Sequence, residues 1–180
     1  SFKSDVTELS LNGLSLTDIS VLSQCRNLVN LDLSNNHIVD ITPLMDLPNL
    51  QKLNLSSNQI SDIRALIAMT SLKSIDVSYN EISTTNAFSA MNAVEELILD
   101  GNPVADFSGI GKMYSLKALS VKNTGLKETD FQYIRNLGNL RTLNMEDNPQ
   151  ISGEAFDQFN LAMLNCRITH SPMVYSIQFC

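Results

Sequence analysis

The sequence predicts an α/β solenoid with a parallel β-sheet along one face, and three observations predict it. An apolar frame of the form Leu-x-x-Leu-x-Leu-x-x-Asn-x-Ile recurs along the chain. Its first members, Leu28, Leu50, Leu72, Val94 and Leu116, stand 22 residues apart. Within each unit a Leu-x-Leu pair alternates with polar residues, the period of a half-buried strand. Units of this size cannot bury their apolar faces alone and must stack on neighbours. The 180 residues are therefore expected to form one elongated domain, 1–180, of about eight strands, with 161–180 as closing strand and tail.

The best-formed units justify the elements in order. In Leu28-Val-Asn-Leu31-Asp-Leu33-Ser-Asn-Asn36-His-Ile38-Val-Asp40-Ile41-Thr-Pro-Leu44, residues Leu31 and Leu33 point inward while Asp32 and Ser34 point to solvent. Leu50 to Leu66 repeats this almost position for position. The Asn at 36, 58, 80, 102 and 148 falls where the strand turns, and its amide can satisfy backbone groups that a buried bend leaves free. Leu14 and Thr124 interrupt this series. The return arms of the early units are short and contain Pro43 and Pro48, so 3₁₀ or irregular turns are expected there.

The later units differ. From Leu116 to Leu140 the step is 24, and Thr129–Gly138 reads as a helix with a Thr-x-x-Gln capping box, ended by glycine. Ser152–Phe159 reads as a second helix with Phe156 and Phe159 on one face. A last strand is expected at Leu161-x-x-Leu164-x-Cys166. The alternating run Tyr175-Ser-Ile177-Gln-Phe179 is expected to close the end of the core, and Phe2 to cover the other end.

These units strongly resemble the leucine-rich-repeat family, and within it the 22-residue type of bacterial internalins, with Asp-Ile after the Asn-x-Ile step. The resemblance covers nearly the whole chain. It implies a right-handed curved solenoid with the parallel sheet on the concave face and 3₁₀ turns and later short helices on the convex face, and an asparagine ladder along the strand ends. It also implies a protein-recognition module of a bacterial cell-surface or secreted protein. Eukaryotic phosphatase regulators carry similar repeats, which leaves an intracellular regulatory subunit or scaffold as an alternative. A non-binding spacer is the third.

Composition narrows the classes. The chain is 43% hydrophobic with no Trp, which suits a core of repeated Leu, Ile and Val, and it has no apolar run long enough for a membrane helix. A net charge of -7 repels phosphate backbones and argues against nucleic-acid partners. Three cysteines form no metal-like spacing, and Cys25 and Cys166 fall at apolar positions, so they are expected as buried free thiols. Cys180 is expected as a free thiol of the tail. The start at Ser1 without Met suggests a processed or excised piece of a longer protein. Asn54-Leu-Ser56, the lone glycosylation triplet, lies on the strand face, where a glycan would obstruct it.

No catalytic chemistry is predicted. The two histidines, His37 and His170, are read as surface residues, and no phosphate loop, His-Glu-x-x-His or Cys-x-x-Cys is present. No cofactor or metal is expected: Asp32, Asp76 and Asp100 share neighbouring strand positions but form no compact calcium loop.

The working surface is therefore sought in the outward strand positions. One row carries Thr7, Val29, Gln51, Lys73, Glu95, Lys117, Arg141 and Ala162. The next runs from Glu8 through Glu96, Ala118 and Thr142 to Met163. The central row runs from Ser10 through Asp32, Asn54, Asp76, Ile98, Ser120 and Asn144 to Asn165. Lys73, Glu95 and Lys117 read as mutual neutralisation. Tyr79 and Ile98 are large groups on an otherwise polar face, flanked by Asp76, Glu96 and Asp100, and an aromatic anchor rimmed by charge is the usual form of a binding hot spot. The candidate partner-binding residues are Asp76, Tyr79, Glu96, Ile98, Asp100 and Lys122. Lys117, Lys122, Arg141 and Arg167 give the face a charge asymmetry that can orient a partner. The expected partner is a protein, bound by a monomer.

Overall fold

The computed structural model describes residues 5–172. Eight three-residue strands form one all-parallel sheet in chain order: β1 (Glu8–Ser10), β2 (Asn30–Asp32), β3 (Lys52–Asn54), β4 (Ser74–Asp76), β5 (Glu96–Ile98), β6 (Ala118–Ser120), β7 (Thr142–Asn144) and β8 (Arg167–Thr169). The register is continuous: Leu9, Leu31, Leu53, Ile75, Leu97, Leu119, Leu143 and Ile168 lie in one row. This is the leucine-rich-repeat solenoid, with the strands on its concave face. Among the described residues no helix is long and apolar enough to cross a membrane.

Each strand feeds a turn and a return arm. In the first four units the arm is a five-residue 3₁₀ turn, at Ser20–Gln24, Thr42–Asp46, Arg64–Ala68 and Asn86–Ala90, each burying one large residue: Leu22, Leu44, Leu66 and Phe88. Asp18, Asp40 and Asp62 accept the N–H groups of Ser20, Thr42 and Arg64 and so start the first three arms. In the fifth unit the 3₁₀ turn shrinks to Ile110–Lys112. There a side chain on Gly109 would collide with the Thr85 carbonyl, so the two arms approach more closely than a Cβ permits.

The asparagine ladder is the main polar device of the core. Asn80 donates to the carbonyls of Leu55 (2.9 Å) and Val77 (3.0 Å) and accepts from the Ile60 N–H (3.0 Å), tying two repeats together. Asn36, Asn58, Asn102 and Asn148 repeat the pattern. Thr124, one heavy-atom group shorter, reaches only its own strand at the Val121 carbonyl, 2.7 Å away. In its absence the Val104 N–H donates locally to Asn102. No buried side-chain polar atom among the described residues lacks a partner, as a buried bend requires.

The helices depart from expectation in extent. The first is a 3₁₀ turn at Glu128–Asp130 followed by one α-helical turn, α1 (Phe131–Ile134). Its cap is the Asp130 carboxylate accepting the Lys127 N–H at 2.9 Å; Gln132 instead donates to the Thr129 carbonyl, so Thr129 and Gln132 form no capping box. The second, α2 (Gly153–Ala162), is capped by Ser152, whose hydroxyl accepts from the Ala155 N–H. Phe156 and Phe159 are buried as expected, and Phe159 stacks on Phe131 with ring centroids 4.2 Å apart, joining the two helices.

Because α2 runs three residues beyond Phe159, it consumes Leu161 and Ala162, and the last strand begins at Arg167. The expected strand at Leu161–Cys166 is therefore not formed. Ala162, Met163 and Asn165 leave the strand rows, and Arg167 and Thr169 take places opposite Thr142 and Asn144. The repeat step accordingly grows from 22 residues between Leu97 and Leu119 to 24 and then 25 at Leu143 and Ile168. Leu161 and Leu164 become 73% and 85% exposed. The segment Tyr175–Phe179, Cys180 and Phe2 lie outside the described residues.

Candidate functional site

Strands β1 to β7 each run on to a residue in the left-handed backbone region: Gly13, Asn35, Ser57, Tyr79, Gly101, Asn123 and Asp147, with φ between +51° and +68°. Glycine and short polar residues tolerate this conformation; a tyrosine does not adopt it readily. Tyr79 nevertheless holds φ +53° and remains 58% exposed. The residue beside it in the next repeat is Gly101, where an added Cβ would stand 2.6 Å from Tyr79 Cδ1. The ring is therefore laid over the Gly101 backbone along the lip of the strand face, and the glycine makes room for it.

Ile98 lies on the sheet itself, in register between Asp76 and Ser120, and is half-buried. Tyr79 and Ile98 thus belong to different rows, lip and floor. Glu96, two residues before Ile98 on the same strand, accepts a hydrogen bond from the Ser74 hydroxyl at 2.8 Å.

The remaining candidates are engaged by their own chain. The Asp76 carboxylate accepts both the N–H and the hydroxyl of Ser78, at 2.9 and 2.6 Å, as Asp32 does with Ser34. Asp100 accepts from the Ser120 hydroxyl at 2.6 Å and the Lys122 N–H at 2.8 Å. Lys122 pairs with Glu146 and Asp147, each at 3.3 Å, and hydrogen bonds to these carboxylates push its ammonium pKa up. Asp147 is held below the usual carboxylate range by the Ser171 hydroxyl first and Lys122 second. Short side-chain to backbone bonds of this kind hold turn geometry, a role the repeat frame alone did not reveal.

Elsewhere the charge row reads as the sequence suggested. Lys117 meets Glu95 at 2.6 Å on an exposed edge, and that hydrogen bond, with the charges of Lys117 and Lys73, lowers the Glu95 pKa. Arg141 turns its guanidinium back to the carbonyls of Gly138 and Leu140. His37 is exposed, but His170 is half-buried, its ring centroid 3.8 Å from that of Phe156 on α2. Cys25 is a buried free thiol, and Cys166 is half-buried, which raises its thiol pKa. No group of three His, Cys, Asp or Glu among the described residues could hold a metal ion.

A leucine-rich-repeat sequence family matches residues 26–82 and 48–104. The comparison with curated proteins finds no match. Among solved structures, an internalin (inlF) of Listeria monocytogenes superposes with a TM-score of 0.81 at 27% identity, over 94% of this chain and 49% of its own. An internalin C2 (inlC2) of the same organism gives 0.78 at 24% identity, over 92% of this chain and 80% of its own. A leucine-rich-repeat protein of Leptospira interrogans gives 0.71 at 25% identity, over 82% of this chain and 38% of its own. The chain is thus built of leucine-rich repeats of the internalin-like type, and it spans about half the length of the inlF protein. Repeats of this family generally serve as non-enzymatic protein-binding scaffolds.

Proposed function

We propose that this chain is a protein-recognition module that holds a partner protein against its concave strand face, as part of a bacterial surface or secreted internalin-like protein, and that it catalyses no reaction. The observation that carries this reading is Tyr79. A large aromatic residue occupies a left-handed position whose neighbours are Asn, Ser, Gly and Asp, and Gly101 leaves space for its ring. Backbone strain of this kind costs about 1–3 kcal/mol and is typically retained at binding and switch sites. An exposed aromatic at a fixed angle also loses little side-chain entropy on binding, which suits an anchor.

Ile98 and Glu96 on β5 extend the contact from the lip onto the sheet, with Asp76, Asp100 and Lys122 as a charged rim whose geometry is fixed by the turn. Capture of a partner from host-cell or environmental lysate by the immobilised chain tests this reading. Tyr79→Ala and Ile98→Ala should each weaken capture at least tenfold while circular dichroism and thermal unfolding stay within the range of the parent. Undiminished capture by both variants rejects the site. A partner that protects only convex-face amides from hydrogen exchange rejects the concave-face assignment.

A further inference from the structure

The C-terminal half of the concave face contains a hollow of about 320 Å³ centred on β6. In its strand row Ala118 is the smallest residue, between Glu96 on β5 and Thr142 on β7; in the next row Ser120 sits between Ile98 and Asn144. The floor is therefore low over β6, with Ile98 as an apolar wall on one side and Asn144 and Arg167 on the other. The hollow reads as a shaped depression between large side chains.

Its two ends carry opposite chemistry. Glu96 stands at the β5 side. On the far side Arg167 is exposed, and the ion pairs among the described residues, Arg64 with Asp62, Lys117 with Glu95, and Lys122 with Glu146 and Asp147, do not use it. Asn144 commits its side-chain oxygen to the Glu146 N–H at 3.1 Å, which leaves its NH₂ donor over for a ligand. A guanidinium and an amide donor on neighbouring strands are a carboxylate-binding pair. The chain as a whole is acidic, at -7, so this donor pair is a local exception to the overall charge.

Resting on the reading that the concave face recognises a protein, we infer that this hollow takes an extended segment of the partner carrying an apolar residue and, two positions later, an acidic one. The apolar side chain seats on Ala118 against Ile98, and the carboxylate reaches Arg167 and Asn144. Residues i and i+2 of an extended segment point the same way roughly 6.5–7 Å apart, and β6 lies about 5 Å from β7 and 10 Å from β8, so the side chain of an Asp or Glu spans the remainder. Glu96 repels the carboxylate and fixes the direction of the segment across the strands.

Titration of the ¹⁵N-labelled chain with the capped peptide Ac-Ser-Leu-Ser-Glu-Ser-NH₂ tests this, with Ac-Ser-Leu-Ser-Lys-Ser-NH₂ and Ac-Ser-Ser-Ser-Glu-Ser-NH₂ as controls. The expected result is a set of saturable amide shifts confined to Ile98, Ala118, Ser120, Asn144 and Arg167, at least fivefold weaker with either control. Ala118→Leu, which fills the hollow, and Arg167→Gln, which removes the cation, should each abolish the shifts, and the parent-like spectra of both variants away from the hollow establish that they fold. Equal shifts with the acidic and basic peptides, shifts that survive Arg167→Gln, or no shifts at millimolar peptide overturn the inference. The last of these together with loss of partner capture by Tyr79→Ala overturns the hollow while keeping concave-face recognition; peptide shifts at the hollow together with Tyr79-independent capture do the reverse for the Tyr79 anchor.

Discussion

The first four repeats and the last three solve the same packing problem differently. In the first four, every strand is followed by the same five-residue 3₁₀ arm at a 22-residue step, and the Asn ladder, absent at Leu14 in the first, runs unbroken from Asn36 in the second repeat to Asn102 in the fifth. From β6 onward the ladder skips a rung at Thr124, the arms become helical, and the step lengthens. The strand side is nevertheless unchanged, and the row from Leu9 to Ile168 stays in register. The strand side of a solenoid is fixed by hydrogen bonds to two neighbours, whereas the return side is held by side-chain packing and absorbs insertions at low cost.

That contrast can be broken at several points. The largest effect is expected at Phe88, fully buried in the fourth arm where earlier arms have Leu. Phe88→Ala should cost about 3–5 kcal/mol in denaturant unfolding, and hydrogen exchange should show the loss spreading to the repeats on both sides. A loss confined to one repeat would mean that neighbouring units are less coupled than their shared core implies.

Asn80→Ala comes next. It strands the Ile60 N–H in a buried turn, at about 1–3 kcal/mol for one unsatisfied group, while the Leu55 and Val77 carbonyls keep the amide donors of Asn58 and Asn102. The reverse experiment is Thr124→Asn, which offers the missing rung. It should stabilise by about 1 kcal/mol and lower the amide exchange rate of Val104, which stands where Ile38, Ile60 and Ile82 donate to the other rungs. Destabilisation instead would show that the later repeats are bent in a way the ladder cannot follow. Ser152→Ala removes the cap of α2 and should cost about 1 kcal/mol, with fraying restricted to α2 and β8.

Tyr79→Asn should act in the opposite direction on stability and function. Asparagine tolerates the left-handed region, so relief of strain should raise stability by up to about 1 kcal/mol, while partner capture falls as for Tyr79→Ala. The smallest effect is at the exposed Asp62–Arg64 pair. The Arg64 side chain and N–H hold the Asp62 carboxyl at about 2. A depressed carboxyl contributes stability above its unfolded pKa and loses it as pH falls through the folded value; for so exposed a pair that contribution is screened away. Arg64→Ala should therefore raise the Asp62 pKa in an NMR titration and leave the melting temperature unchanged.

Much of the strand face was legible because its signal is local and repeated. A period of two within each unit and a constant step between units give the inward row and the position of every Asn rung. The turn column was legible as a column but not as a strained one. The sequence flags Tyr79 as bulky, whereas its positive φ and the space at Gly101 require coordinates. Asp76, Asp100 and Lys122 read as free rim charges because their partners, Ser78, Ser120 and Glu146, are common surface residues with no distinctive spacing. The last strand was misplaced because Leu161-x-x-Leu164-x-Cys166 fits the frame locally, while the α2 register that buries Phe156 and Phe159 carries Leu161 and Ala162 along as its final turn.

The sequence by itself determined the repeat, the parallel sheet, the inward rows and the ladder, since each follows from side-chain period and from the need to pair buried backbone groups. Only the tertiary structure decided where the final repeat begins, which charges are spent within the turns, and that Ala118 forms the floor of a hollow between Ile98 and Arg167. Those depend on which residues from different repeats meet across the sheet, and the side-chain pattern of a single repeat carries no record of its neighbours.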